Sequence, residues 1–342
     1  MICRATPAMR RLLSSLILAL LLPATAQAGV RVSAFYYPWY GTSSLDGAFQ
    51  HWAQRGHTPP NDIASSYYPL RGLYSSSDRL VTAAQMSEIH GAGIDEIAVS
   101  WWGQGSPEDV RLPEVVAAAR AEGLSVAVHL EPYAGRTVAS TVADLVYLRH
   151  YGIRTFYLYR PLDLPVADWA AAKAALHAGG STIFAQTALV GAAAAAGFDG
   201  VYTYDVVVYG GDKFARLCQQ AHAVKLLCAP SVGPGYDARR GSGDPVMKPR
   251  RDGATYDSMW KLAIQAGADR VTITSYNEWH EGTQIEPAAS SPARRGAYRY
   301  LSYEGAWGLH GVAAEDAYLT RTRYWSDVFR NTSPVQPKTK AS

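Results

Sequence analysis

Cysteine is scarce in this 342-residue chain: Cys3 stands near the start, and only Cys218 and Cys228 follow. No zinc-type cysteine spacing exists, which excludes a cysteine-built zinc domain. Cys218 and Cys228 read as lying on a helix and on the strand after it. They form either one disulfide or two buried thiols, and spacing alone does not choose between them. A membrane-spanning run is also missing. The apolar stretch Leu12 to Leu22 is shorter than the roughly 20 residues a bilayer requires, and Pro23 interrupts it. Arg4, Arg10 and Arg11 precede that stretch and Ala26-Gln27-Ala28 follows, so residues 1–28 read as a cleavable export leader cut after Ala28. The mature chain, 29–342, is then expected in the periplasm or the medium, free of the membrane. Cys3 precedes the apolar core and not the cleavage site, which argues against lipid attachment there.

Charge of one sign is missing too. The chain has 32 Lys and Arg against 29 Asp and Glu, and loss of the leader's three Arg leaves 29 of each. A neutral surface without a basic stripe offers little to nucleic acid or to an anionic membrane, so a neutral ligand is expected. No Pro-, Ser- or Gly-rich linker divides the mature chain, which reads as a single domain and a monomer.

Eight β-branched or aromatic runs alternate with helix-like stretches: Val32 to Tyr36, Glu96 to Ser100, Ser125 to Leu130, Thr155 to Tyr159, Thr182 to Ala185, Gly200 to Thr203, Leu226 to Ala229, and Val271 to Ser275. Ser106-Pro107 marks a helix start; Gly91, Gly123 and Gly152 mark stops. Near-continuous apolar strands separated by helices imply a parallel sheet, and eight units close an α/β barrel of the (β/α)₈ TIM type. A doubly wound open sheet fits less well, because Tyr37-Pro38-Trp39-Tyr40-Gly41 follows the first strand where a glycine-rich phosphate turn is expected. Gly233-Pro234-Gly235-Tyr236-Asp237-Ala238 comes after the seventh strand and reads as a turn. Two elongated loops, Pro38 to Ser77 and Val232 to Gly253, are placed to wall an open sugar cleft, and a helical tail from Arg294 to Arg330 is expected to pack outside the ring.

Nine Trp and 22 Tyr are plentiful in comparison, and flat aromatic faces suit sugar rings. Polar and aromatic residues gather after the strands, at the rim where barrel active sites form. Breaking a glycosidic bond needs a proton for the leaving oxygen and stabilisation of an oxocarbenium-like centre, which two carboxyls of separated pKa supply. Glu278 and Glu281, three apart beside Asn277 after the last strand, are the candidates. Glu131 either binds hydroxyls or adjusts a neighbour's pKa, or else is a buried carboxylate orienting His129. His51 either meets sugar hydroxyls or sits exposed in its loop. Of Trp101 and Trp102, strand alternation allows only one to reach the barrel mouth. A metal hydrolase using His129, Glu131, His280 and Glu281 is disfavoured, since the first strand offers no paired histidines. No Gly-x-Ser-x-Gly elbow supports a serine nucleophile. Cofactors are not expected. A noncatalytic carbohydrate-binding barrel and an α-glucan hydrolase of a related barrel family are the competing readings.

Four blocks make the chain resemble glycoside hydrolase family 99, the endo-acting α-mannosidases and α-mannanases: Phe35 to Gly41 with His51-Trp52, Tyr67 to Ser76, Ser231 to Tyr236, and Ile273 to Glu286. The resemblance implies a metal-free retaining endo-hydrolase acting on α-1,2-mannosidic linkages of α-mannan or mannose-rich glycans. In that family the sugar's 2-hydroxyl displaces the leaving group to give a 1,2-anhydro intermediate. Matched by motif, Glu278 assists deprotonation of that hydroxyl, and Glu281 protonates the leaving oxygen and then activates water. Tyr40, His51, Glu131 and Tyr204 match cleft-lining positions. Trp101-Trp102 resembles the bacterial form of the loop that selects the neighbouring sugar. The cluster Arg239, Arg240, Lys248, Arg250 and Arg251 departs from the family pattern.

Overall fold

The computed structural model of the chain describes Met1, residues 31–290, the pair Arg294–Arg295 and residues 297–332. The expected leader lies outside the described residues. Eight parallel strands form the sheet: β1 Arg31–Tyr36, β2 Glu96–Trp101, β3 Ser125–Leu130, β4 Thr155–Leu158, β5 Thr182–Gln186, β6 Gly200–Tyr202, β7 Leu227–Ala229 continued by Ser231–Val232, and β8 Arg270–Ile273. Each is followed by a helix: α1 Arg79–Gly91, α2 Pro107–Ala121, α3 Val138–Arg149, α4 Val166–Ala171, α5 Val190–Ala196, α6 Phe214–Ala223, α7 Ala254–Gln265 and α8 Ala317–Thr332. Neighbours pair in sequence order, and β1 also pairs with β8. The ring closes at β7. Pro230 divides this strand, because proline brings no N–H to a ladder. The carbonyls of Cys228 and of Pro230 itself still accept, from Asp269 N–H just before β8 at 2.9 Å and from Thr272 N–H of β8 at 3.2 Å.

Strand alternation sorts the side chains. Val32, Ala34 and Tyr36, with Val99, Val128, Phe156 and Ile273, belong to the outer core under the helices. Phe35, Ala98, Ala127, Tyr157, Phe184 and Tyr202 fill the barrel. Below them Glu96 is closed off by Ser33 Oγ at 2.9 Å, Tyr157 Oη at 3.3 Å and Arg270 Nη1 at 3.5 Å. Helix starts follow the punctuation. Ser106 accepts from Asp109 N–H with Pro107 in the first turn of α2, and Thr137 and Ser140 cap α3 reciprocally. Gly123 and Gly152 take the left-handed backbone after α2 and α3. Cys218 of α6 and Cys228 of β7 form a disulfide.

The tail differs from expectation. Arg294–Arg295 and Tyr298–Arg299 form a short antiparallel pair, and α8 starts only at Ala317. Gly305, Gly308 and Gly311 all have positive φ, which interrupts a helix, while Tyr300 and Tyr303 spend their hydroxyls on the carbonyls of Asn61 and Glu286. Only α8 packs as foreseen. Its Trp325 stacks on Trp260 of α7, and Arg321 forks onto Asp257 at 2.7 and 2.6 Å.

Candidate active site

The segment from Tyr276 to Glu286 leaves β8 and crosses the barrel mouth, and it is held at nearly every residue. Asn277 brackets the backbone of Tyr37, accepting its N–H at 2.7 Å and donating to its carbonyl at 3.0 Å. Tyr40 donates its hydroxyl to the Asn277 carbonyl at 3.1 Å and accepts Trp279 N–H at 3.0 Å. Both side chains are fully buried. The structure thus places Tyr40 and Asn277 as braces of this loop, their polar atoms committed to backbone apart from one further bond from Asn277 Nδ2 to Tyr74 Oη at 3.3 Å. Trp279 donates to Glu286 at 2.8 Å, and Glu286 also receives Arg71, Gln85 and Tyr74.

The brace leaves Glu278 and Glu281 free to face the mouth. Glu278, 3% exposed, accepts His280 N–H at 2.9 Å, and its own N–H is held by Ser275 Oγ at 2.8 Å. Glu281 is half-buried and accepts from Tyr204 Oη at 3.3 Å. Burial raises the pKa of both carboxyls. The Glu281 charge raises Glu278 further, while the Tyr204 hydrogen bond opposes burial at Glu281, which is pushed up to about 7. Burial thus favours the protonated form of each carboxyl, while the backbone N–H donors at Glu278 and the Tyr204 hydroxyl at Glu281 favour the ionised form.

His51 takes a left-handed backbone at φ 61° and stacks between Trp39, 4.4 Å away, and His280, 5.5 Å away. Its carbonyl accepts His280 Nε2–H at 2.9 Å. Burial lowers both imidazoles, His51 to about 3 and His280 to about 4, so both are neutral. Gln54 occupies His51 Nδ1 at 3.0 Å, which leaves the proton on Nε2. Glu131 is buried and accepts Ser100 Oγ at 2.8 Å; His129 Nδ1 lies 3.1 Å from the same oxygen. Tyr204 stands between these groups, stacked on His129 at 5.3 Å and bonded to Tyr37 Oη at 2.5 Å. Trp101 and Trp102 split as alternation requires. Trp101 is enclosed, its indole N–H on Asp109 at 2.8 Å, while Trp102 is 39% exposed.

Glu278, Glu281, Glu131, Tyr204 and His51 are therefore brought to one mouth, with Trp102 at the exposed rim. Tyr37 and Trp39 were not singled out from sequence as site residues, and His280 entered only as a ligand of the disfavoured metal reading. Tyr37 was within reach of strand alternation: it lies two residues past the inward-facing Phe35. Among the described residues no three His, Cys, Asp or Glu side chains gather as a metal set. The arginine cluster is mostly scaffold. Arg240 donates to the carbonyls of Ile63 and Ser65 and stacks on Tyr298, joining the two elongated loops. Arg250 donates to the carbonyls of Gly282 and Gln284 at 2.9 and 2.7 Å. Gly241 must lack a side chain because a Cβ there would strike the His280 backbone. Lys248 and Arg251 instead line a cavity of about 230 Å³ with Gly210 and Thr255, away from the carboxyls.

Comparison with known proteins finds the model of Glycosyl hydrolase family 99 matching residues 29–331. A Danio rerio glycoprotein endo-alpha-1,2-mannosidase-like protein is 32% identical over 87% of this chain and 78% of its own length. The Rattus norvegicus glycoprotein endo-alpha-1,2-mannosidase is 30% identical over 87% of this chain and 74% of its own. The solved structure of an endo-alpha-mannosidase from Bacteroides thetaiotaomicron superposes with a TM-score of 0.78 at 31% identity, covering 89% of this chain and 98% of that one.

Proposed function

The chain belongs to glycosyl hydrolase family 99 and is a glycoside hydrolase, and from that premise we propose that it is a retaining endo-acting hydrolase of α-1,2-mannosidic linkages in α-mannan or mannose-rich glycans. The observation that carries the reading is the pair Glu278, buried, and Glu281, half-buried, on one braced loop and both raised in pKa. Related proteins named as endo-alpha-1,2-mannosidases support the linkage. In the first step Glu278, ionised, takes the proton of the sugar's 2-hydroxyl while that oxygen attacks the anomeric carbon. The bond to the leaving oxygen breaks, and that oxygen takes the proton of Glu281. In the second step Glu281, now ionised, takes a proton from water as the water oxygen bonds to the anomeric carbon. The 1,2-anhydro bond opens, and O2 recovers its proton from Glu278. Two inversions give retention.

The scheme suits the geometry of mannose, whose axial 2-hydroxyl lies trans to an α leaving group. It also suits two glutamates on one short loop, because neither has to reach the anomeric carbon as a nucleophile. His51 Nε2–H and Glu131 are assigned to sugar hydroxyls, and Trp102 to the face of the neighbouring sugar. The Cys218–Cys228 bridge supports export through the leader read at residues 1–28, since disulfides persist outside the cytoplasm. The test is mass analysis of products from yeast-type α-mannan, with α-glucans in parallel. Short mannose oligomers from wild type and none from Glu281→Gln are expected; cleavage of glucan alone would overturn the substrate.

A further inference from the structure

Tyr37 has no part in the two-carboxylate scheme, yet hydroxyls connect it to Glu281. Its Oη lies 2.5 Å from Tyr204 Oη, and Tyr204 Oη lies 3.3 Å from Glu281 Oε2. A phenol has one proton to give, and an ionised carboxylate only accepts. When Glu281 is ionised Tyr204 must therefore donate to it, and only Tyr37 can then donate to Tyr204. We propose that Tyr37 is a positioning residue for Glu281, donating into Tyr204 so that Tyr204 holds its own proton on the carboxylate and stabilises the ionised acid/base. The inference rests on the assignment of Glu281 to that role.

Three features support a fixed relay. Tyr37 is clamped through its backbone by Asn277, and its ring packs on Trp39 at 4.7 Å. Tyr204 holds a left-handed backbone, φ 56°, with its N–H on Ser231 Oγ at 2.7 Å and its carbonyl accepting Thr274 Oγ1 at 2.9 Å. A tyrosine adopts that backbone only where its surroundings impose it. Burial, with the charges of Glu131, Glu278 and Glu281 nearby, drives both phenols well above their ordinary range, so both remain donors. Glu281 also faces Asp205, Glu131 and Asp244, which raise it, and Tyr159 and Tyr236 on adjoining loops. Against those the Tyr204 bond is the opposing contact, and donation from Tyr37 strengthens it by polarising the Tyr204 hydroxyl. The ionised form is what Glu281 becomes after protonating the leaving oxygen and what it needs to activate water.

The experiment follows the ionisation of Glu281 in the full mature chain by difference infrared titration, using the carboxyl band that Glu281→Gln removes. The alkaline limb of kcat/KM is recorded beside it. Tyr204→Phe should raise both midpoints by on the order of one pH unit, and Tyr37→Phe by about half of that. The double variant should shift no further than Tyr204→Phe alone, because Tyr37 acts only through Tyr204. A ring-fluorinated tyrosine at position 37, a stronger donor that keeps the hydroxyl, should move the midpoint down, and it covers the case in which Tyr37→Phe folds poorly. An unmoved midpoint in Tyr37→Phe and in the fluorinated protein, or additive shifts in the double variant, would overturn the relay. A Glu281→Gln variant that keeps kcat/KM within about tenfold of wild type would instead overturn the acid/base assignment itself.

Discussion

The two ends of one short loop bury their carboxylates in opposite ways. At the far end Glu286, fully enclosed, receives Arg71 Nε at 2.9 Å and Gln85, Tyr74 and Trp279 at 2.8 Å each. Burial, with the Glu88 charge nearby, leaves its pKa raised on balance, but the Arg71 charge and the Gln85 and Tyr74 hydrogen bonds oppose that shift, and both carboxylate oxygens are occupied. At the near end Glu278 and Glu281 are given backbone N–H groups and one long phenol bond, with further carboxylates as neighbours. A buried carboxyl saturated with donors fixes structure; one left short of them keeps a proton in play.

The sharpest test removes the proton. Glu281→Gln should lower kcat/KM by roughly 10²–10⁴-fold while the circular dichroism spectrum stays native. For wild type, activity should fall as pH rises through about 7, because Glu281 must be protonated to act as acid. Stability has the same sign. A carboxyl raised in the folded state contributes fully below its unfolded pKa and loses that contribution as pH rises toward about 7, so denaturant midpoints of Glu281→Gln and wild type should diverge across that window. Parallel curves would end the distinction between the two ends of the loop.

At the other end Arg71→Ala strips the buried Glu286 of its cation and should cost roughly 3 kcal/mol in urea unfolding, with activity reduced alongside because Glu286, the acceptor of the Trp279 indole N–H, loses its counter-charge. If that variant loses activity yet keeps its stability, Glu286 is not the anchor described. Trp102→Ala, at an exposed rim position, should raise KM several-fold and shift stability by less than about 0.5 kcal/mol. The smallest expected effect is that of a chelator: none on turnover, since the two carboxyls complete the proton transfers.

Strand positions were readable because a strand buried on both faces must be a contiguous apolar run, and each observed strand ends within two residues of its expected span except β7, which runs three residues past Ala229 to Val232. The break in β7 had a visible cause in Pro230, but the carbonyls that bridge it belong to a partnership with β8. Site residue types were readable as well. Glu278, Glu281, Glu131, Tyr204 and His51 do share one mouth, while Tyr40 and Asn277, chosen for the same polarity, spend their groups on Tyr37, Trp279 and the loop's own backbone. Polarity announces that a group will bond; it does not say to what.

The sequence by itself determined the eight-unit barrel, the loop after the last strand and the glutamates on it, because these follow from periodicity and residue type. Tertiary structure alone decided which glutamate is saturated and which is left to titrate. The donors and charges that set each pKa, Arg71, Gln85, Tyr204, Glu131 and Asp205, come from other loops and helices, and only barrel closure brings them within hydrogen-bond and Coulomb range.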